Sequence, residues 1–135
     1  MIFVDTGAFI SRYIAKDQYH SLSIGFWNHV KLSGERLFTS NFVIDEALTY
    51  IARHANYSFA AEIGENIYIS KCFTVLRPEM DDEIKAVRFF QKYADQKISF
   101  TDCISFVLMN RQKIRKVFSF DRHFEYAGYI LFPDK

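Results

Sequence analysis

Five short apolar runs that follow no helical period constrain this chain most. They are Ile2-Phe3-Val4, Leu37-Phe38-Thr39, Phe73-Thr74-Val75-Leu76, Val117-Phe118-Ser119-Phe120 and Tyr129-Ile130-Leu131-Phe132. Successive side chains of a strand point to opposite faces, so a strand that is apolar throughout must be covered on both sides. A parallel sheet with helices on its faces meets that condition, whereas a half-solvated antiparallel sheet alternates apolar and polar residues. The runs predict an α/β fold with a mostly parallel sheet of four to five strands.

Between the runs the spacing turns helical. Gln18–Lys31 carries Leu22, Phe26, Trp27 and Val30, and Asn41–His54 carries Val43, Ala47, Tyr50 and Ile51. Tyr57–Ser70 and Asp82–Ala94 read as two more helices, the second led by the acidic run Glu79–Glu83 that a helix N-terminus favours. Asp102–Gln112 is apolar on nearly every side, as a buried central helix is. A length of 135 residues fits one domain, residues 1–135. With 5 Gly and 2 Pro, the chain has few residues for the tight turns of a β-sandwich. Half of the residues are hydrophobic, too many for a wholly disordered chain. No run of about 18 apolar residues predicts a membrane span, and the opening MIFVD has no basic lead of a signal peptide. A soluble, cytoplasmic protein is expected. Cys72 and Cys103 stand far apart with no CxxC, and are expected as buried, reduced thiols.

In open α/β sheets ligands bind beyond the carboxyl ends of the strands. Asp5 directly follows the first run and Asp121 the fourth. Asp102 follows Ile98-Ser99-Phe100-Thr101 and opens the apolar helix. Glu46 shares a helix face with Val43 and Tyr50, at spacings of three and four. Each acid has a plainer use. An Asp after a strand suits a helix N-cap, and Glu46 suits a solvated helix face, with Asp45 its rival. Four acids crowded at one edge are harder to explain as caps, because they repel and their desolvation favours protonation. A hard divalent cation with oxygen ligands offsets both effects. The chemistry this suits is phosphodiester hydrolysis, with an activated water and shielded charge at phosphorus.

Other signatures are missing. The chain has no GxGxxG, P-loop or GxSxG. Asp5-Thr6-Gly7 lacks the second Asp that a haloacid-dehalogenase-type phosphatase needs, and the paired acid and late Lys of a response-regulator receiver are not evident. His20, His29 and His54 lie off the strand edges and read as structural. His123, two residues after Asp121, suits either a phosphate contact or a structural role.

The motifs around the four acids resemble those of PIN-domain nucleases, in particular the VapC toxins of prokaryotic toxin–antitoxin pairs. They are Phe3-Val4-Asp5-Thr6, then Thr39-Ser40-Asn41-Phe42-Val43-Ile44-Asp45-Glu46, then Ile98 through Ser105, then Val117 through Phe124 with Ala127-Gly128-Tyr129 behind. The resemblance runs end to end. It implies a three-layer α/β/α PIN-like fold and an acidic pocket holding Mg2+ or Mn2+ for endonucleolytic RNA cleavage. By position, Asp5 and Asp102 would be direct metal ligands, Glu46 and Asp121 would complete the pocket, and Thr6 and Thr101 would supply supporting hydroxyls. It further implies a homodimer and a small antitoxin that inserts a segment into the active-site groove. A PIN-type RNA-processing nuclease with no antitoxin, or a non-catalytic PIN-like domain that binds RNA or protein, are the alternatives.

The formal net charge of +1 hides an asymmetry. Residues 84–123 hold nine Lys or Arg against three acids, and the rest holds eight against 13. Arg111, Lys113, Arg115, Lys116 and Arg122, within that basic stretch, are candidate contacts for RNA phosphates. A solvated loop explains the Arg111–Lys116 cluster equally well.

Overall fold

The computed structural model describes residues 1–134. Strands β1 (Ile2–Val4), β2 (Leu37–Ser40), β3 (Phe73–Leu76), β4 (Lys116–Phe118) and β5 (Ile130–Phe132) form one sheet in the order β3-β2-β1-β4-β5. All four pairings are parallel. Central β1 is buried at every residue, and β2 likewise. This is the two-sided covering that their unbroken apolar sequence requires.

The helices are α1 (Thr6–Tyr13), α2 (His20–Ser33), α3 (Asn41–His54), α4 (Tyr57–Ile69), α5 (Met80–Lys92), α6 (Phe100–Gln112) and α7 (His123–Tyr126), with a 3-10 turn at Ala94–Gln96. Together they make a three-layer α/β/α architecture. On one face α1 and α2 meet the sheet through aromatic rings. Phe9 and Trp27 touch Phe73 of β3, and Phe26 and Trp27 touch Phe118 of β4. In the other layer Phe106 of α6 is ringed by Phe89 and Tyr93 from the α5 side, by Phe124 of α7 and by Tyr129. Helix α6 is buried continuously from Asp102 to Met109, as its sequence predicts.

Several boundaries differ from the sequence reading. Helix α1 was not foreseen: it is eight residues long, starts immediately after β1 and buries Thr6 and Ser11 beside Ala8 and Phe9, so polarity does not mark its inner face. Strand β4 starts at Lys116 and ends at Phe118, so Asp121 follows two further residues, Ser119 and Phe120. Helix α6 begins at Phe100, capped by the Ser99 hydroxyl, which accepts the Asp102 amide at 3.1 Å. Of the two cysteines only Cys103 is buried; Cys72 is exposed in the turn before β3.

Strand order places the site. The chain steps from β1 outward through β2 to β3, then returns to lay β4 on the other side of β1. The strand order reverses there, so the connections leaving β1 and β4 diverge and open a crevice at the carboxyl edge. The Asp5 amide donates to the Phe118 carbonyl at 3.0 Å, which pins the two sides of that crevice together.

Candidate active site

Asp5, Glu46, Asp102 and Asp121 line one cavity of about 460 Å³ at that edge. Asp5 comes from the end of β1, Glu46 from the second turn of α3, Asp102 from the first turn of α6 and Asp121 from the loop after β4. Asp45, the rival of Glu46, is exposed and absent from the lining. Glu46 is exposed as well, but it lines the cavity, one helical turn after fully buried Val43.

Asp5 occupies the N-cap position of α1, yet its side chain caps no helix amide. One carboxylate oxygen, Oδ2, accepts the Ser119 hydroxyl at 2.7 Å. The other, Oδ1, is buried with no hydrogen-bond partner among the described residues, and so is Thr6 Oγ1. Burial pushes Asp5 up to about 7, against the lowering effect of the Ser119 bond, with the charges of Asp121 and Glu46 adding to the rise. Asp102 is pushed up to about 9, by burial first and then by the charges of Asp5 and Asp121. A buried carboxylate with an unpartnered oxygen is costly, and a second buried carboxylate close enough for the charge of one to raise the other adds to the cost.

Asp121 is not the N-cap of α7, a position that Arg122 occupies without a side-chain cap. Asp121 Oδ1 accepts the His123 amide at 2.9 Å at the head of α7 and lies 3.0 Å from His123 Nδ1. Ser119 sits between the acids: its hydroxyl donates to Asp5 and accepts the Asp121 amide at 3.0 Å. The tightest set of ligand atoms is Asp102, Asp121 and His123, all within 4.8 Å of one another. With Asp5 and Glu46 in the same cavity, the donors are carboxylate oxygens and one imidazole. That set fits a hard divalent cation such as Mg2+ or Mn2+, and such an ion would relieve both the unpartnered oxygen and the mutual repulsion.

Thr6 lines the cavity; Thr101, half-buried in the first turn of α6, does not. The basic candidates are not brought to the acids. Arg111 to Lys116 lie at the far end of α6 and the start of β4, and α6 separates them from Asp102 by the better part of its roughly 20 Å length. Arg111 pairs with buried Asp82, and Lys116 donates to Glu35 at 2.6 Å. Arg122 borders a different hollow, beside Glu125 and Leu131. A +6 stretch of chain is not a patch: it starts on α5, lines the cavity at Lys97, Ser99 and Asp102, leaves it along α6 and returns at Ser119 to His123. Residues lining the cavity that sequence reasoning did not single out include Asp17, Tyr19, Lys97, Ser99 and Ser119. Of these, Ser99 and Ser119 fall inside the Ile98–Ser105 and Val117–Phe124 motifs. The other histidines stay out of the lining, and the ring nitrogens of His20 and His54 bond the carbonyls of Ser11 and Tyr50.

A parallel sheet with acids from β1, α3, α6 and the loop after β4 at its carboxyl edge is the arrangement of a PIN domain, and the chain belongs to that family, matching it over residues 2–128. Within it the resemblance is to VapC proteins. The chain is 31% identical over 123 residues to a "VapC ribonuclease" of Archaeoglobus fulgidus, covering 90% of this chain and 77% of that one. It is 28% identical over 130 residues, 96% of each chain, to the "23S rRNA-specific endonuclease VapC20" of Mycobacterium tuberculosis. The crystal structure of that VapC20, described as a sarcin–ricin loop cleaving toxin, superposes with a TM-score of 0.85 at 27% identity, covering 96% of this chain and 97% of that one. Among the described residues no helix is long and apolar enough to cross a membrane.

Proposed function

We propose that this chain is a metal-dependent endoribonuclease that cleaves RNA phosphodiester bonds at the acidic cavity and acts as the toxin of a toxin–antitoxin pair. The observation that carries the catalytic part is the Asp5–Asp102 pair: two buried carboxylates across one crevice, both with raised pKa values, one oxygen left without a partner. Asp5 and Asp102 would hold the ion directly, and Glu46 and Asp121 would complete the pocket, with His123 within ligand reach. Bound there, Mg2+ or Mn2+ supplies Lewis-acid activation of water and neutralises charge at phosphorus. Ser119 holds Asp5 in its charged form and fixes its rotamer, and the Ser99 cap fixes the turn that presents Asp102.

Ribosomal RNA is the substrate class supported by the names of the M. tuberculosis relative. The antitoxin rests on the VapC resemblance, and a second copy of the chain is supported by an exposed apolar stripe on α5. A cytoplasmic location is consistent with these partners. The test is RNA cleavage with and without Mg2+ or Mn2+. Wild type cuts only with metal, while Asp5→Asn and Asp102→Asn fall to background and melt no lower than wild type, because each puts a neutral amide of the same shape where burial opposes ionisation. Either variant cutting at the wild-type rate would falsify the catalytic assignment. A small neighbouring reading frame for a DNA-binding protein separates the toxin from an RNA-processing enzyme of the same fold.

A further inference from the structure

Five acids line the cavity: Asp5, Asp17, Glu46, Asp102 and Asp121. RNA is a polyanion, and phosphates on either side of the cleaved bond must come near these acids. One divalent ion offsets only part of that repulsion, so the substrate needs a fixed cation at the rim. Among the described residues Lys97 is the sole Lys or Arg in the lining. Its side chain is exposed, and it makes no ion pair among the described residues. The other cations foreseen from sequence lie at the far edge or face another hollow.

The backbone holds Lys97 in place. It ends the 3-10 turn in the left-handed region, with φ +55° and ψ +38°. A residue with a Cβ pays about 1 kcal/mol there, and Gly or Asn would suit it better. The next residue, Ile98, is 3% exposed and anchors the loop in the core. Ser99 then caps α6 and Asp102 follows in its first turn, so the loop that carries the lysine is continuous with the helix that carries the acid.

We propose that Lys97 binds a phosphate of the RNA backbone beside the cleaved bond and positions the strand over the acids. This rests on the ribonuclease reading above. It acts in binding, so its loss raises KM with little change in kcat.

The test uses the full-length protein and three variants. Lys97→Met removes the charge and keeps the side-chain length and backbone cost; Lys97→Gly removes charge and cost together; Lys97→Arg keeps both. Two readouts are taken: steady-state cleavage of a labelled hairpin carrying the sarcin–ricin sequence of 23S rRNA, and salt-dependent binding of poly(U). Lys97→Met and Lys97→Gly are expected to raise KM about three- to tenfold and to flatten the slope of log K against log salt by about 0.7, one phosphate contact on a single strand. Lys97→Arg restores both. Lys97→Gly melts at or above wild type, which separates lost binding from lost folding. Lys31→Ala, a charge removed from an exposed position on α2 outside the cavity, leaves both readouts alone. The proposal is overturned if Lys97→Met matches wild type in KM and salt slope, or if it lowers kcat and leaves KM unchanged. A wild-type protein that neither binds nor cuts RNA overturns this proposal and the ribonuclease reading together; a wild type that cuts with Lys97→Met unaffected overturns this one alone.

Discussion

Asp5 stands where a helix N-cap stands and does not cap, and the reason lies 114 residues away in Ser119. That hydroxyl turns the carboxylate toward the crevice and favours its charged form. Ser119→Ala is expected to raise the Asp5 pKa further above about 7, because the one side-chain bond opposing burial is lost. The acid limb of the kcat/KM profile then moves to higher pH, with roughly tenfold less activity at neutral pH, and Ser119→Thr restores it. An unmoved acid limb would mean that Asp5 is held charged by something other than this bond. The acids themselves were legible in the chain: Asp5 and Asp121 follow apolar runs, Asp102 opens a buried helix, and Glu46 shares a helix face with Val43 and Tyr50. Their supporting groups were not: Ser119 donates across two strands and Lys97 reaches the cavity through a left-handed turn, and neither fact has a local sequence mark. Asp121 shows the limit from the other side: it lines the cavity and accepts the His123 amide, while the N-cap position its sequence suggested falls to Arg122.

Among the elements, α5 and α6 divide the labour. Helix α6 is buried over most of its length and carries Asp102 into the site, so its apolar sequence announced its position. Helix α5 is amphipathic in an unusual sense. Ala86 packs inward, while Met80, Ile84 and Val87 make a stripe on the exposed side with Phe90 beside it. Exposed apolar patches of this kind mark interaction surfaces, and covering this one with a second copy would account for it. Val87→Glu is therefore expected to halve the mass seen by size exclusion with light scattering at micromolar concentration, without lowering Tm by more than a few degrees. A wild-type protein already monomeric under those conditions would refute the pairing. Helix α1 went unread because its inner face mixes Thr6 and Ser11 with Ala8 and Phe9; the Ser11 hydroxyl reaches Ser23 of α2 at 2.8 Å, a partner that no local sequence announces.

For the whole molecule the raised carboxylates tie stability to pH. In the folded chain Asp5 titrates near 7 and Asp102 near 9, against about 3.8 for each when unfolded. The folded state therefore holds more protons over that interval, and stability falls as pH rises. The contribution is present in full below about pH 4 and is lost as pH climbs through about 7 to 9. Melts in EDTA from pH 5 to pH 9 should show Tm falling with pH, and Asp102→Asn should flatten the fall; parallel curves for the two proteins would refute this origin. Mn2+ or Mg2+ is expected to reverse the trend, because carboxylates that hold an ion must be deprotonated. A saturating ion is expected to raise Tm by several degrees at pH 8 and by less at pH 6. The net charge of +1 conceals this local strain as it conceals the basic stretch. The sequence by itself determined the architecture and the four acids, because burial on both faces of a strand and a carboxylate at the strand's end are properties of neighbouring residues. Tertiary structure alone decided which charges meet. Strand order β3-β2-β1-β4-β5 and the length of α6 sent the Arg111–Lys116 cluster to one edge and left Lys97 with the acids at the other, since electrostatic partnership depends on distance in space and not on distance along the chain.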